Sequence, residues 1–257
     1  MTEFEKEVQA RIGAQAADDT LKQTAQNFLD RSIEMHYSYN FFWMGRPIIQ
    51  YPQDMVALQE LIWKVRPDLV IETGIAHGGS LILSASLLAL LDYCDAVEQG
   101  VVLDPTKPKR RVLGIDIDIR PKNYKAIGQH PMYGRIDMIE GSSIDSAIVE
   151  QVRQRASGFQ RVMVFLDSNH THEHVLAELK AYSPLVTPGS YCVVFDTVVE
   201  KLPGDFFQDR PWSRGNNPMT AVKAFLAEQS DFIVDEAIED KLQITVAPNG
   251  YLKRVSG

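Results

Sequence analysis

Between positions 8 and 37 apolar residues recur at helical spacing, with Leu21, Ala25, Phe28, Leu29 and Ile33 on one stripe. The spacing predicts one helix with a packing face suited to a subunit contact. The run Gly45-Arg46-Pro47-Ile48-Ile49-Gln50-Tyr51-Pro52 is turn-rich, and its prolines break any helix. Asp54 opens a helix from Met55 to Val65, which Pro67 stops. From there the pattern alternates. Short apolar runs over 69–72, 111–116, 136–140, 161–167 and 189–196 read as strands, and most end in an acid. Helical stretches separate them over 80–93, 121–128, 143–155 and 171–182, with a loop over 95–109. A polar loop over 200–218 holds Trp212, a helix spans 219–228, and 232–256 reads as closing strands with Pro248-Asn249-Gly250 as a hairpin turn.

Strands that alternate with helices imply a parallel sheet buried on both faces. The expected fold is α/β, a doubly wound and mostly parallel sheet. Residues 1–66 form a helical extension on a core of residues 67–257, within a single domain. The chain has 257 residues, 45% of them hydrophobic and 23% charged, which is a globular composition. Its formal net charge of -8 argues against nucleic-acid binding, which needs a basic face. The local basic patch Lys107, Lys109, Arg110 and Arg111 reads as a solvated loop. The two cysteines, Cys94 and Cys192, read as buried free thiols. Residues 1–7 lack an apolar signal core, and no run reaches 18 uninterrupted apolar residues. The expectation is a cytoplasmic homo-oligomer without a membrane span.

In open α/β sheets, ligands sit beyond the carboxyl ends of the strands. Glu72, Asp116, Asp167 and Asp196 all fall at such ends. Each alone could cap the helix that follows; together they predict an anionic rim above an apolar sheet. The turn Glu72-Thr73-Gly74-Ile75-Ala76-His77-Gly78-Gly79-Ser80 follows the first strand of the sheet. Its glycines permit a close backbone approach to a ligand, and the helix start offers N–H groups to a carboxylate. The spacing fits neither G-x-G-x-x-G nor G-x-x-x-x-G-K-[ST]. Asp116 is placed to accept ribose hydroxyls, and Gly141-Ser142-Ser143 to edge an adenine. His77 could touch the cofactor tail or cap the next helix. This order of features fits an adenosine with a charged tail better than a pyrophosphate.

Those residues resemble the catechol O-methyltransferase-like class. The resemblance implies an acid, Glu72, near the methionine amino end of S-adenosylmethionine, and a path along it lined by Gly74, Ala76, His77, Gly78 and Ser80. It further implies Asp116 at the ribose, Ser142 and Ser143 at the adenine edge, and Asp167 at a metal-binding strand end that also borders the cofactor. A closer likeness covers most of the chain from Asn40 onward. The runs 40–50, 71–80, 166–170 and 249–254 are similar to the family named after cephalosporin hydroxylase and rhamnosyl O-methyltransferase. Members are implied to bind S-adenosylmethionine, often with a divalent metal, and to modify hydroxyls of sugars or antibiotic scaffolds.

Methyl transfer requires the acceptor oxygen to be aligned and its proton removed. A Mg²⁺ or similar ion would lower the hydroxyl's pKa, and Asp167 and Asp196 are the candidate ligands. By the resemblance, His170 holds the position of the general base. Some metal-using relatives carry two adjacent acids at the fifth strand end, whereas this chain has Phe195-Asp196-Thr197. Thr197, Glu200, substrate or water could fill that gap. His170, His172 and His174 with Glu173 form a second candidate cluster. His170 and His174 share a helix face there, which leaves a metal-dependent hydroxylase or hydrolase open. A catalytically inactive cofactor-binding partner subunit is the non-enzymatic alternative. The segment 209–217, with Arg210, Trp212 and Arg214, could be a substrate lid or an ordinary surface loop.

Overall fold

The computed structural model describes residues 1–256. Two helices, α1 (Glu3–Ala16) and α2 (Asp19–Glu34), stand where one was predicted. Asp18 divides them, because its carboxylate accepts the Leu21 N–H at 2.9 Å and caps α2. A hairpin follows, β1 (Phe41–Trp43) and β2 (Arg46–Ile48). Its turn residues Met44 and Gly45 have φ of 46° and 84°, the paired positive angles that a two-residue hairpin turn needs. Three-residue strands are too short to display period two, so the pattern showed only the turn. Helix α3 (Pro52–Val65) starts earlier than expected, with proline in its first turn. Asp54 is fully buried in that turn and accepts from Val246 N–H at 3.0 Å and from the Tyr251 hydroxyl at 2.6 Å, pinning the chain's last segment.

The remaining strands are β3 (Leu69–Thr73), β4 (Arg111–Asp116), β5 (Ile136–Glu140), β6 (Val162–Leu166), β7 (Tyr191–Val194), β8 (Phe232–Val234) and β9 (Tyr251–Arg254). They form a seven-stranded sheet in the order β5-β4-β3-β6-β7-β9-β8. All pairings from β5 to β7 are parallel, and β9 runs antiparallel to both neighbours. The order reverses between β3 and β6, so a crevice opens beyond their carboxyl ends. Helices α4 (Gly79–Gln99), α5 (Pro121–Gly128), α6 (Ser146–Ala156), α7 (His172–Tyr182), α8 (Pro218–Glu228) and α9 (Glu236–Leu242) complete the chain. The fold is the doubly wound, Rossmann-like one.

Several boundaries differ from the pattern. Helix α4 continues through residues read as a loop and stops at Gly100, whose left-handed backbone ends it. Helix α6 begins only after Asp145, which caps it through the Ala147 N–H at 2.8 Å. Ser142 and Ser143 therefore stay in the loop. Helix α9 separates β8 from β9, so Pro248-Asn249-Gly250 does not join two strands of a hairpin. It turns the chain into β9, with Gly250 N–H on the Ala247 carbonyl at 2.9 Å.

Strict alternation sorts the strands into two cores. Val70, Val112, Met163, Phe165, Tyr191 and Val193 face α3, α4 and α9. Leu69, Ile71, Leu113, Ile115, Val164 and Cys192 face α6, α7 and α8. The segment before β3 joins the first core through Leu29, Ile48, Tyr51 and α3. Helix α4 is long and apolar enough to cross a membrane, but most of that stretch is buried inside the fold. Cys192 is buried as expected, whereas Cys94 is only half-buried.

Lys107 and Lys109 lie exposed in a loop, as expected, but Arg110 and Arg111 do not. Arg110 is buried, and so is Arg135; Asp92 bridges them at 2.6 and 2.8 Å. Asp95 extends the cluster to Arg110 at 2.7 Å and to Arg66. Removing one partner of a buried ion network strands the others. Asp92→Ala is expected to lower unfolding free energy by about 3–5 kcal/mol. Urea denaturation checks this; a loss within the range typical of surface substitutions, about 0.5 kcal/mol, would contradict it.

Candidate active site

The turn after β3 is held in place from both sides of its backbone. Asp116, at the end of the neighbouring β4, accepts the Ile75 and Ala76 N–H groups at 2.7 and 3.2 Å. Asn123 on α5 donates to the Ala76 carbonyl at 2.7 Å. Arg46 on β2 donates through Nε to the His77 carbonyl at 3.0 Å and reaches Asn123 Oδ1 at 3.3 Å. A side chain at Gly79 would strike the Pro47 carbonyl and Ile48, so the β1–β2 hairpin sits directly on the start of α4. Ala76 takes φ of 45°, a strained angle that this network enforces. Helix α4 has Gly78 at its cap and no capping side chain, so His77 does not cap it. Sequence reading missed Arg46 as a functional residue, although it lies within the quoted run 40–50. It also missed Asn123, which carries no local signal.

Alternation places Glu72 on the α4 side of β3. The Ser80 hydroxyl donates to its Oε1, while Oε2 has no hydrogen-bond partner. Burial raises the carboxyl to about 8, against the Ser80 bond that lowers it. None of the four strand-tip acids caps a helix through its side chain. Asp116 binds the turn and the Asp118 N–H, and the helices after Asp116 and Asp167 have Arg120 and Thr171 as caps. Asp196 begins a short 3-10 turn with no side-chain bond to it.

Asp167 lies against the glycine turn, since a side chain at Gly74 would collide with the Asp167 carbonyl. One ligand atom each from Asp167, His170 and Asp196 lie within 4.8 Å of one another. His170 Nε2 is 3.2 Å from Asp196 Oδ2. Alternation alone would put position 196 on the face of Cys192 and Val194, away from Asp167. Asp196 instead takes φ 54° and ψ 21°, a left-handed backbone that breaks the alternation. Burial, then Asp196, Glu72, Glu178 and Asp54, hold the Asp167 carboxyl well above its usual range. The pit gathers carboxyl groups that disfavour one another's charge.

The proposed substitutes for a second acid are engaged elsewhere. The Thr197 hydroxyl donates to the Pro248 carbonyl at 2.6 Å. Glu200 accepts from Gly215 N–H at 2.8 Å and from the Asn217 amide. The histidine cluster is also dispersed. His172 Nδ1 meets Thr220 Oγ1 at 2.8 Å on α8, and His174 Nε2 meets Ser143 Oγ at 3.0 Å. Only His170, which precedes α7 rather than sharing its face, reaches the acids. The Ser143 hydroxyl turns inward, onto Glu178, while Ser142 is half-buried in the same loop. Above His170, Trp212 stands edge-on with ring centroids 4.7 Å apart, and Arg210 covers Trp212 at 5.3 Å.

Residues 35–255 match the family described as rhamnosyl O-methyltransferase/CmcI. The chain belongs to this family. Like its members, it is an S-adenosylmethionine-dependent O-methyltransferase, which removes the hydroxylase or hydrolase alternative together with its scattered histidines. Among the relatives of this rhamnosyl O-methyltransferase/CmcI member is the rhamnosyl O-methyltransferase of Mycobacterium leprae (strain TN). It is 32% identical over 214 residues, covering 82% of each chain. The rhamnosyl O-methyltransferase of Mycobacterium tuberculosis (strain ATCC 25618 / H37Rv) is 30% identical over 228 residues, 85% of this chain and 82% of that one. Two solved structures share the fold. A CmcI structure described with Mg and SAM has a TM-score of 0.56 at 18% identity, covering 85% of this chain and 78% of its own. CalS11, described as a TDP-rhamnose 3′-O-methyltransferase, has a TM-score of 0.52 at 15% identity, covering 100% and 96%.

Proposed function

We propose that the enzyme methylates a hydroxyl of a sugar, glycosylated metabolite or antibiotic-like scaffold, with Asp167 and Asp196 holding a divalent cation and His170 acting as general base. The observation that carries this reading is the contact between Gly74 and Asp167. A donor lying along the glycine turn then has its sulfonium end beside the Asp167–His170–Asp196 group. The names of the relatives support a sugar acceptor. So does Trp212 over His170, since an aromatic ring can cover a sugar's apolar face while Arg210 takes an anionic substituent.

The donor set fits a hard cation. Two carboxyl groups converge, and burial, followed by repulsion from Asp196, keeps Asp167 protonated beyond its usual range until a positive charge arrives. When bound, such an ion lowers the acceptor hydroxyl's pKa and fixes its direction. The chain's own part is positional and protolytic. As the oxygen–methyl bond forms, the sulfur–methyl bond breaks and its electron pair stays on sulfur. The hydroxyl proton passes to His170, and Asp196 at 3.2 Å steadies the imidazolium.

His170→Ala is expected to lower kcat about 100-fold while leaving the Kd for S-adenosylmethionine unchanged. An unchanged kcat removes His170 as base. A parallel titration with Mg²⁺ separates a second reading that the 4.8 Å cluster favours, in which His170 is a ligand. A base leaves Mg²⁺ affinity intact, and a ligand does not. Dialysis against a chelator is expected to abolish turnover, with recovery on adding Mg²⁺. Because Asp167 must lose its proton to bind, Mg²⁺ affinity rises with pH. Full activity in chelator would end the metal reading.

A further inference from the structure

Helix α7 carries a second polar group behind the site. Glu178 is fully buried, and its Oε1 accepts the Ser143 hydroxyl at 2.6 Å and the Ser168 hydroxyl at 2.7 Å. Ser143 follows β5, and Ser168 follows β6 directly after Asp167. His174, one turn earlier on α7, sets Nε2 at 3.0 Å from Ser143 Oγ, 3.3 Å from Ser168 Oγ and 3.5 Å from Glu178 Oε1. Tyr182, one turn later, donates its hydroxyl to the Ser143 carbonyl. Two successive turns of one helix thus meet both loops, and a third meets the one after β5.

A carboxylate at this depth costs folding free energy that an apolar side chain would not. The cost is not fully offset, because Glu178 Oε2 has no partner. β5 and β6 are separated in the sheet by β4 and β3. No ladder pairs β5 with β6 directly, and the Glu178 oxygen is bonded to the loops that follow both.

We infer that Glu178 is a positioning residue for the methyl donor: by holding Ser143 and Ser168 on one oxygen, it sets the width of the adenosyl slot between the two loops. This rests on the reading that the Ser142–Ser143 loop edges the adenine. The test uses the full chain with Glu178→Gln, Ser143→Ala, Ser168→Ala and the double serine variant. Calorimetry with S-adenosylhomocysteine is paired with steady-state kinetics. Glu178→Gln is expected to raise Kd and the donor KM about tenfold, with kcat at saturating donor within about threefold of wild type. Each serine variant is expected to weaken binding by a few-fold, and the pair by no more than Glu178→Gln, because both act through one atom. A purely structural role lowers the folded fraction but leaves Kd and KM of the folded enzyme unchanged. That result, or independent additive effects of the serines, overturns the inference. The serine variants remain informative where Glu178→Gln fails to fold. Wild-type enzyme that does not bind S-adenosylhomocysteine would instead remove the adenosyl reading itself.

Discussion

Asp167→Asn is expected to reduce turnover by about three orders of magnitude or more while making the ligand-free protein more stable at neutral pH. The two effects share one cause. Burial first, then the charges of Asp196, Glu72, Glu178 and Asp54, raise the folded pKa of Asp167. A carboxyl whose pKa is raised on folding binds more protons folded than unfolded, so its contribution to stability falls as pH climbs from its unfolded value towards its folded one. Asparagine keeps the shape and cannot ionise, which removes that penalty. It also removes the charge of a proposed cation ligand, while the backbone carbonyl against Gly74 stays in place. Thermal unfolding at pH 7 and single-turnover kinetics check both halves. Turnover within tenfold of wild type would contradict the role given to Asp167.

Glu72→Gln is expected to weaken S-adenosylmethionine binding about 100-fold, the loss of a buried charge pair worth about 3 kcal/mol. In the free protein Glu72 titrates at about 8, against an ordinary 4.5, because burial disfavours its charge. In the role that the family resemblance implies for Glu72, the donor's ammonium pairs with the ionised form. Wild-type affinity therefore rises with pH towards 8, with a proton released on binding. For the ligand-free protein the sign is opposite: stability falls between pH 4.5 and 8. Glu72→Gln removes the Glu72 part of both slopes. Calorimetry in buffers of different ionisation enthalpy measures the proton, and thermal melts across that window measure the stability. An affinity independent of pH in the wild type, or unaltered in the variant, contradicts this account.

Much of the site was legible because local rules set it. Glu72, Asp116 and Asp167 stand at strand ends that short apolar runs mark, and a small-residue turn must follow a strand whose neighbour's backbone lies as close as Asp167 does to Gly74. The choice at each of the four acids, between capping a helix and facing a ligand, was not legible. Cap geometry depends on where the next helix starts, and α5 and α7 start beyond the reach of Asp116 and Asp167. Thr197 and Glu200 were plausible ligands by proximity in sequence, yet Pro248 and Asn217 take them up from distant segments.

By itself the sequence determined the layered architecture and the alternation of strands and helices from β3 to α8, because hydrophobic periodicity and strand termination act over a few residues. Tertiary structure alone decided that the left-handed backbone of Asp196 swings its carboxylate back to Asp167 and His170. It also decided that Arg46 and Asn123 clamp the turn, and that Glu178 gathers two loops. Those pairings join residues tens of positions apart. Their geometry depends on how helices seat against the sheet, which local pattern does not encode.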